Sequence, residues 1–577
     1  MNDSPDQDRL DPPPPPMMDK PKLLSSTMLM ASGTLVSRIL GMVRVLLVGH
    51  LLVSQTIQAD IFSIATTIPN QMYLLFAGGI LTAILVPQLM RAITHDADGG
   101  QAFTDRIVTL FLMLIGGLTI LLLVAHRYVV ALVTQPAWRA PGMAAQYQSL
   151  ITLTCLVLPQ VFFFGAFFLG GQILNSRGSF GPFMWAPAVN NVIQVAMLGT
   201  YAVIWGFHND TSLPFTTHQV LLLGLGSVLG IACQAAVLIP FLKKVGFRYR
   251  PRFDFLHTGL GATARLATWA LAMVVITQIN YVIVTRMAGV ATLAGQGAGS
   301  YVLGSSMLIW FLPHSLLTVS LGTALLPSLS QLAARQQWGE FSEQFHSSLR
   351  IIFTAIIPLA FLLMALALPI GILAFGAYRG GIHIGWTLMV LSLGLIPVTS
   401  RFLIQRGYHS MSNTRTPFFI ELVFVALTSA FAIFVVVVVD VHPMWVAPCI
   451  AAGYILGYTA SAIQGWFLFR HAIPDYRGYS IMGHIARLVT ISIPGALIAG
   501  WVMWGTIKPI IQLSILRRSG AIEEIPSRGT VFIGLVIALI LGGGVYLVLA
   551  KLLKIPEIDE LTSLISKKLR KEPTGGA

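Results

Sequence analysis

The chain has 577 residues, 55% of them hydrophobic and 10% charged, with a net charge of +14 and a mean hydropathy of +0.78. Globular domains carry about 25% charged residues, so a soluble class is excluded and a polytopic helical membrane protein remains. The positive charge lies mostly between apolar segments, which suits the positive-inside rule and anionic headgroups and not nucleic acid. Cys155, Cys233 and Cys449 sit singly in apolar runs and offer neither a metal spacing nor a disulfide framework.

Residues 1–22 contain acids and a run of five prolines, Pro12 to Pro16. They read as a disordered cytoplasmic tail and not as a signal peptide. Apolar stretches of about 20 residues then predict fourteen helices, near 26–53, 59–92, 105–134, 147–174, 181–206, 218–242, 259–288, 298–331, 348–375, 384–407, 417–439, 444–470, 484–506 and 530–553. The densest basic loop runs from Lys243 to Arg252. The loops around Arg401, Arg406 and Arg415, and around Arg470 and Arg477, fall on the same side, as does the tail 554–577. That balance places both termini in the cytoplasm, with Arg517-Arg518 as a dissenting pair. Residues 558–571 read either as a short basic amphipathic helix or as a plain solvated end.

The chain repeats itself faintly. Ala83 to Leu89 resembles Thr323 to Leu329, and Ser176 to Pro182 resembles Ser412 to Pro417. The nearly equal offsets suggest two lobes of six helices in parallel pseudo-twofold repeat, 23–245 and 256–470, followed by two extra helices in 484–553. Substrate sites in such folds lie near the midplane between the halves. Pro69 and Pro87 interrupt helix two, and Pro313 and Pro327 interrupt its counterpart, helix eight. These breaks read either as packing kinks or as hinges of an alternating-access motion.

Two arginines lie deep in the first apolar segment. At 1.5 Å per residue, Arg38 is about 18 Å and Arg44 about 27 Å from a start at Ser26. A guanidinium at that depth costs at least about 2.5–3.5 kcal/mol on insertion scales, so it faces an acid, water or an anionic ligand. Six residues separate their directions by about 120°, and a bend at Gly33 or Gly41 would swing both toward one cavity. Asp60 reads as a partner of Arg44 or a cap of helix two. Glu421 reads as a carrier of a coupling proton or as a charge matched to its helix dipole. Arg286 reads as a snorkelling side chain, and Gln278 and Asn280 as packing or cavity lining. No P-loop, metalloprotease or nucleophile-elbow motif is present, so no enzyme is expected.

Several of these stretches, in order, resemble the MurJ (MviN) lipid II flippase family of the multidrug/oligosaccharidyl-lipid/polysaccharide (MOP) exporter superfamily. They are Ser32-Gly33 to Arg44, Ala59-Asp60, Ile68-Pro69-Asn70, Val86-Pro87, Ile173 to Asn191, Leu321 to Ser330 and Asn413 to Pro417. The resemblance implies movement of lipid II, the undecaprenyl-diphosphate-linked peptidoglycan precursor, from the inner to the outer leaflet of the bacterial cytoplasmic membrane. It implies a cationic cavity containing Arg38 and Arg44, a helix-two acid at Asp60, structural positions at Pro69, Asn70, Pro313, Asn413 and Arg415, and a lipid-tail groove on the last two helices. It implies no cofactor, coupling to membrane potential, H+ or Na+, and the peptidoglycan synthesis and division machinery as partners. Where members often carry basic residues, this chain has Tyr73, Leu74 and the run Met307 to Phe311, which leaves Arg286 as the candidate substitute. A flippase for another polyprenyl-linked glycan, a related exporter of the superfamily, and a non-transporting envelope scaffold are the competing readings. A drug exporter should carry cavity acids where this chain buries arginines.

Overall fold

The computed structural model describes residues 20–54, 56–76, 98, 100–207, 213–254, 261–294, 299–376, 380–474, 481–516 and 528–558. Every regular element among them is a helix. Twelve spans are long and apolar enough to cross a bilayer, and a thirteenth is a pair bent by 49°. The remaining expected helix, 59–92, appears as Ile57–Phe76, and its second half lies outside the described residues, as do Gly78, Gly79 and Pro87.

The first lobe holds α1 (Lys20–Leu51), α2 (Ile57–Phe76), α3 (Gln101–Val124) with its short continuation α4 (His126–Val133), α5 (Ala144–Val157), α6 (Gln160–Ser176), α7 (Gly181–Trp205), and α8 (Thr217–Ala236) with its continuation α9 (Leu238–Lys244). The second holds α10 (Gly261–Leu293), α11 (Ser300–Pro313), α12 (Ser320–Ala334), α13 (Trp338–Phe375), the bent pair α14 (Gly381–Leu393) and α15 (Leu395–Ser410), α16 (Arg415–Ile433) and α17 (Val446–Ala472). The last two helices, α18 (Ile481–Leu516) and α19 (Arg528–Leu552), pack on each other and against α13.

Local chemistry sets the helix ends. Thr216 and Gln219 form a reciprocal capping box at the start of α8. Asn413 accepts the Thr416 amide at 3.1 Å and donates to the Thr416 hydroxyl at 3.0 Å, fixing the entry to α16. Asp98 accepts the amides of Ala102 and Gly100 before α3, and those bonds hold its carboxyl below the usual range. Inside the spans, hydroxyls satisfy themselves on their own helices, as Thr119 does on the Ile115 carbonyl and Ser392 on that of Leu388. Backbone carbonyls, not lipid, receive these donors.

Small residues set the closest packing. A Cβ on Gly542 would lie 2.7 Å from the Gly495 carbonyl oxygen, so α18 and α19 touch backbone to backbone. On α1, Trp185 of α7 fills the space beside Gly33, and the Asn191 amide donates to the Ser37 carbonyl at 2.9 Å. Gly33 and Gly41 therefore serve contact with α7, while Gly49 faces Phe375 of α13. The helix runs without a break in its hydrogen-bonded pattern from Lys20 to Leu51. Large apolar side chains point outward around the bundle, among them Val203 at 87% exposure and Trp501 at 78%. Such a surface suits hydrocarbon and not water.

Beyond α19 the chain packs back onto the bundle as far as it is described. Ile555, Glu557 and Ile558 are buried, and Glu557 lies 3.7 Å from Arg350 of α13. Residues 559–577 lie outside the described residues.

Candidate functional site at the seam between the lobes

Chain direction puts the α1–α2, α10–α11 and α16–α17 connections at one end of the bundle, here the far end. The basic segment 243–254 and the α15–α16 connection lie at the other, the basic end. Contacts between the lobes are made chiefly by α2 against α10 and α11, with smaller contributions from α1 and α4.

Asp60 sits at the far end of this seam, in the first turn of α2 and 3% exposed. Its carboxylate accepts the Tyr301 backbone amide of α11 at 2.6 Å and the Thr292 hydroxyl of α10. Tyr301 in turn donates its phenol to the Val45 carbonyl of α1 at 2.7 Å. One carboxylate and one tyrosine thus join α1, α2, α10 and α11. Trp138 is fully buried nearby, its indole nitrogen 3.4 Å from where a Cβ on Gly289 of α10 would stand. Asp60 makes no ion pair with Arg44 among the described residues, and its bonds reach the opposite lobe and not the start of α2.

Arg38 lies midway along the seam. Its guanidinium donates to the Ser315 hydroxyl at 2.7 Å. Ser315 belongs to a π-helical turn, His314–Val319, that joins α11 to α12. Pro313 explains the turn. It has no amide proton to give the preceding turn, and the chain rewinds before resuming the α-helix. The turn collects polar groups: His314 Nδ1 lies 3.2 Å from the Thr399 hydroxyl, which is 3.2 Å from that of Thr318. Further along, Gln278 donates to Gln71 at 3.3 Å across the same seam, one residue beyond Asn70. Pro69 is buried within α2, and the helix passes through it.

Arg44 is half-buried and interacts electrostatically with Tyr301. Neither Arg38 nor Arg44 has an acidic partner among the described residues. Because α1 is unbroken, the two project in different directions, Arg38 to the π-turn and Arg44 toward Tyr301. Arg286 is half-buried six residues before Thr292 on α10, about 120° around the helix from it, and has no ion-pair partner among the described residues.

Four further residues lie elsewhere. Glu421 is buried away from the seam contacts, in an ion pair with Arg401 at 2.8 Å and within 3.4 Å of the Gln405 amide. Arg401 also stacks over Phe424 and Tyr458, at 4.6 and 5.1 Å from the ring centres. Sequence reading counted Arg401 with the basic loops; the structure places it inside α15. Arg415 is exposed over Trp269 and Phe419 at the basic end. Asn280 accepts the Ser429 hydroxyl at 2.9 Å within the second lobe.

The sequence reading missed Thr292, Tyr301, His314, Ser315 and Thr399. The proline before His314-Ser315 marks a disturbed helix with polar groups beside it. Nothing local marks Thr292 or Tyr301.

With this geometry in place, comparison decides the family. A family model described as lipid II flippase MurJ matches residues 52–517. The chain belongs to the MurJ family. A probable lipid II flippase MurJ of Vibrio cholerae is 26% identical over 508 residues, covering 84% of this chain and 89% of that protein. A solved lipid II flippase MurJ in an inward closed conformation superposes with a TM-score of 0.67 at 18% identity, covering 92% of this chain and all of the other. An inward-facing multidrug resistance MATE transporter of the MOP superfamily gives 0.56 at 14% identity, over 75% and 94%. The fold and the superfamily expected from the resemblance are therefore those of this chain.

Proposed function

We propose that this chain flips lipid II from the inner to the outer leaflet of the bacterial cytoplasmic membrane, with both termini in the cytoplasm, by alternating which end of the seam is open. The observation that carries the reading is the pair Arg38 and Arg44. They are two deep cations without described acidic partners, on the helix that lines the seam, in a member of the MurJ family. Arginine holds a diphosphate bidentately, and a diphosphate crossing hydrocarbon needs such compensation. Arg286 is the third cation available to the headgroup.

Asp60, Thr292 and Tyr301 act as the far-end latch. Breaking the two bonds to Asp60 and the one to Val45 would part the lobes there. The Arg38–Ser315 bond holds the arginine across the seam until an anion displaces the hydroxyl. A groove of about 520 Å³ between α13 and α18, walled by Phe361, Met364, Leu497, Trp501 and Trp504, suits the polyprenyl tail. Membrane potential, H+ or Na+ drives the cycle, and the peptidoglycan synthesis and division machinery supplies and receives the substrate. Glu421 serves the second lobe as the counter-ion of Arg401.

The test is leaflet exposure of lipid II in cells depleted of the protein and rescued with wild type, Arg38→Ala or Arg44→Ala at equal expression. Rescue by wild type alone supports the reading. Full rescue by both variants refutes the arginine mechanism. Exposure unchanged by depletion refutes lipid II as substrate and favours another polyprenyl-linked glycan or a scaffold role.

A further inference from the structure

A second groove lies on the outer side of the first lobe, remote from the seam and from the last two helices. It has a volume of about 830 Å³, within the range of about 300–1,000 Å³ typical of built ligand sites. Helix α6 packs against both α3 and α8, so it forms the floor while they form the walls. Phe162, Ala166 and Leu169 come from α6, Leu112 from α3, and Ala235 and Leu242 from α8 and its continuation. The helices flanking the mouth present Leu114, Leu225 and Ile239 outward, so the groove opens toward hydrocarbon.

One end of this apolar trough is closed by Lys243 and Arg248. Both are exposed, and neither makes an ion pair with a described acid. The neighbouring acids are already engaged. Asp254 pairs with Arg106 at 2.6 Å, Asp98 caps the backbone before α3, and Asp105 accepts the Arg250 amide and the Gln101 side chain. Lys244 lies over Phe241. The segment is also held in place. Arg177 donates to the Val245 carbonyl at 2.9 Å, and Tyr249 meets Thr109 at 3.0 Å. The two free cations are therefore presented at a fixed level beside the trough.

We infer that this groove is a binding site for an anionic glycerophospholipid, with an acyl chain in the trough and the phosphate between Lys243 and Arg248. Charge complementarity selects the ligand: an apolar slot between spanning helices, ending in unpaired cations at the headgroup level, matches a lipid that is apolar along its length and negative at one end. A zwitterionic lipid fills the trough equally well but gains less at the mouth. The inference does not rest on the substrate proposed for the seam.

The experiment is native mass spectrometry of the delipidated full-length protein in detergent. The protein is titrated with phosphatidylglycerol or with phosphatidylcholine of the same acyl chains. Wild type is expected to retain one phosphatidylglycerol in clear preference. Each cation contributes about fivefold at low salt, so Lys243→Gln/Arg248→Gln lowers that preference by about 25-fold. Ala166→Phe/Ala235→Phe fills the trough and removes the bound lipid of either kind, and Ala166→Leu does so in part. Lys551→Gln/Lys554→Gln removes the same charge elsewhere at the basic end and leaves the preference intact. Thermal melting of each variant establishes that it is folded. The proposal is overturned if the Lys243/Arg248 variant keeps the preference, if the Lys551/Lys554 variant loses it equally, or if binding survives a filled trough.

Discussion

Removing the Asp60 carboxylate should open the far end of the seam. Asp60→Ala leaves two donors, the Tyr301 amide and the Thr292 hydroxyl, without their acceptor at a buried junction. Each orphaned donor costs about 1–3 kcal/mol, and bonds to a charged acceptor lie toward the upper part of that range. The closed arrangement therefore loses about 2–6 kcal/mol relative to one in which water reaches these groups. At about 1.4 kcal/mol per decade, the ratio of open to closed rises about 30-fold to about 20,000-fold. Asp60→Asn retains one acceptor oxygen and should shift the balance less. Thr292→Val removes one donor and its need for a partner together, so its effect should be smaller still. The readout is the distance distribution between spin labels at Ala137 and Ala294, exposed positions of opposite lobes at that end. A longer, broader distribution for Asp60→Ala, graded through Asp60→Asn, is the expected result. A distribution for Asp60→Ala that matches wild type would refute the latch.

Three further outcomes are expected. Gly542→Leu should separate α18 from α19 and lower the melting temperature sharply, whereas Gly543→Leu, with open space at its Cβ, should not. Asn191→Leu removes the bond to the Ser37 carbonyl and should destabilise the α1–α7 pair by about 0.6–1.7 kcal/mol, read by thermal melting in detergent. Asp254 is held below the usual carboxylate range by the Arg106 guanidinium. Its anchoring of the 245–254 segment is complete above about pH 3.9 and is lost only as pH falls through the lowered value. Trypsin cleavage after Arg248 and Arg252, normalised at each pH to an unstructured reference peptide, should accordingly be the same at pH 6 and pH 8, and faster at both in Asp254→Asn.

Much of the fold was legible because a membrane imposes it. Apolar stretches of bilayer length set the helix positions, and the depth of Arg38 and Arg44 followed from counting rise along one helix. The partners of those residues were not legible. Ser315 lies 277 residues from Arg38, and Thr292 and Tyr301 lie 232 and 241 residues from Asp60. No local pattern specifies contacts at such separations. Asp60 was expected to meet Arg44 or cap α2 because those are its neighbours in sequence, while the seam offers it two donors from the other lobe. Arg401 was misplaced for a related reason. A basic residue near a helix end reads as a loop charge, and the aromatic rings and carboxylate that hold it come from α16 and α17. Pro313 signalled a disturbed helix, but that the disturbance is a π-turn aimed at Arg38 depends on packing.

The same residue type does opposite work at Arg401 and Arg38, and the difference can be measured. Arg401 has its carboxylate at 2.8 Å and two rings over its guanidinium. Arg401→Ala strands Glu421 in a buried site and should cost about 3–5 kcal/mol of stability, as should Glu421→Ala for the mirror reason. Removing both together should be milder than either alone, because no charge is left unpaired. Arg38 has one hydroxyl partner and no described acid. Arg38→Ala loses a bond worth about 1.5–3 kcal/mol, as bonds to charged groups are, and recovers an insertion penalty of about 2.5–3.5 kcal/mol, so its melting temperature should be unchanged or higher while lipid II exposure is lost. A fall in melting temperature for Arg38→Ala as large as for Arg401→Ala would mean that Arg38 is a structural ion whose partner lies within the protein, and the seam would then hold no site for an anion. Intact exposure together with intact stability would mean that the cation is dispensable. A stable variant that does not transport is the outcome the geometry requires, because a residue costly to keep and unneeded for folding is retained for its ligand.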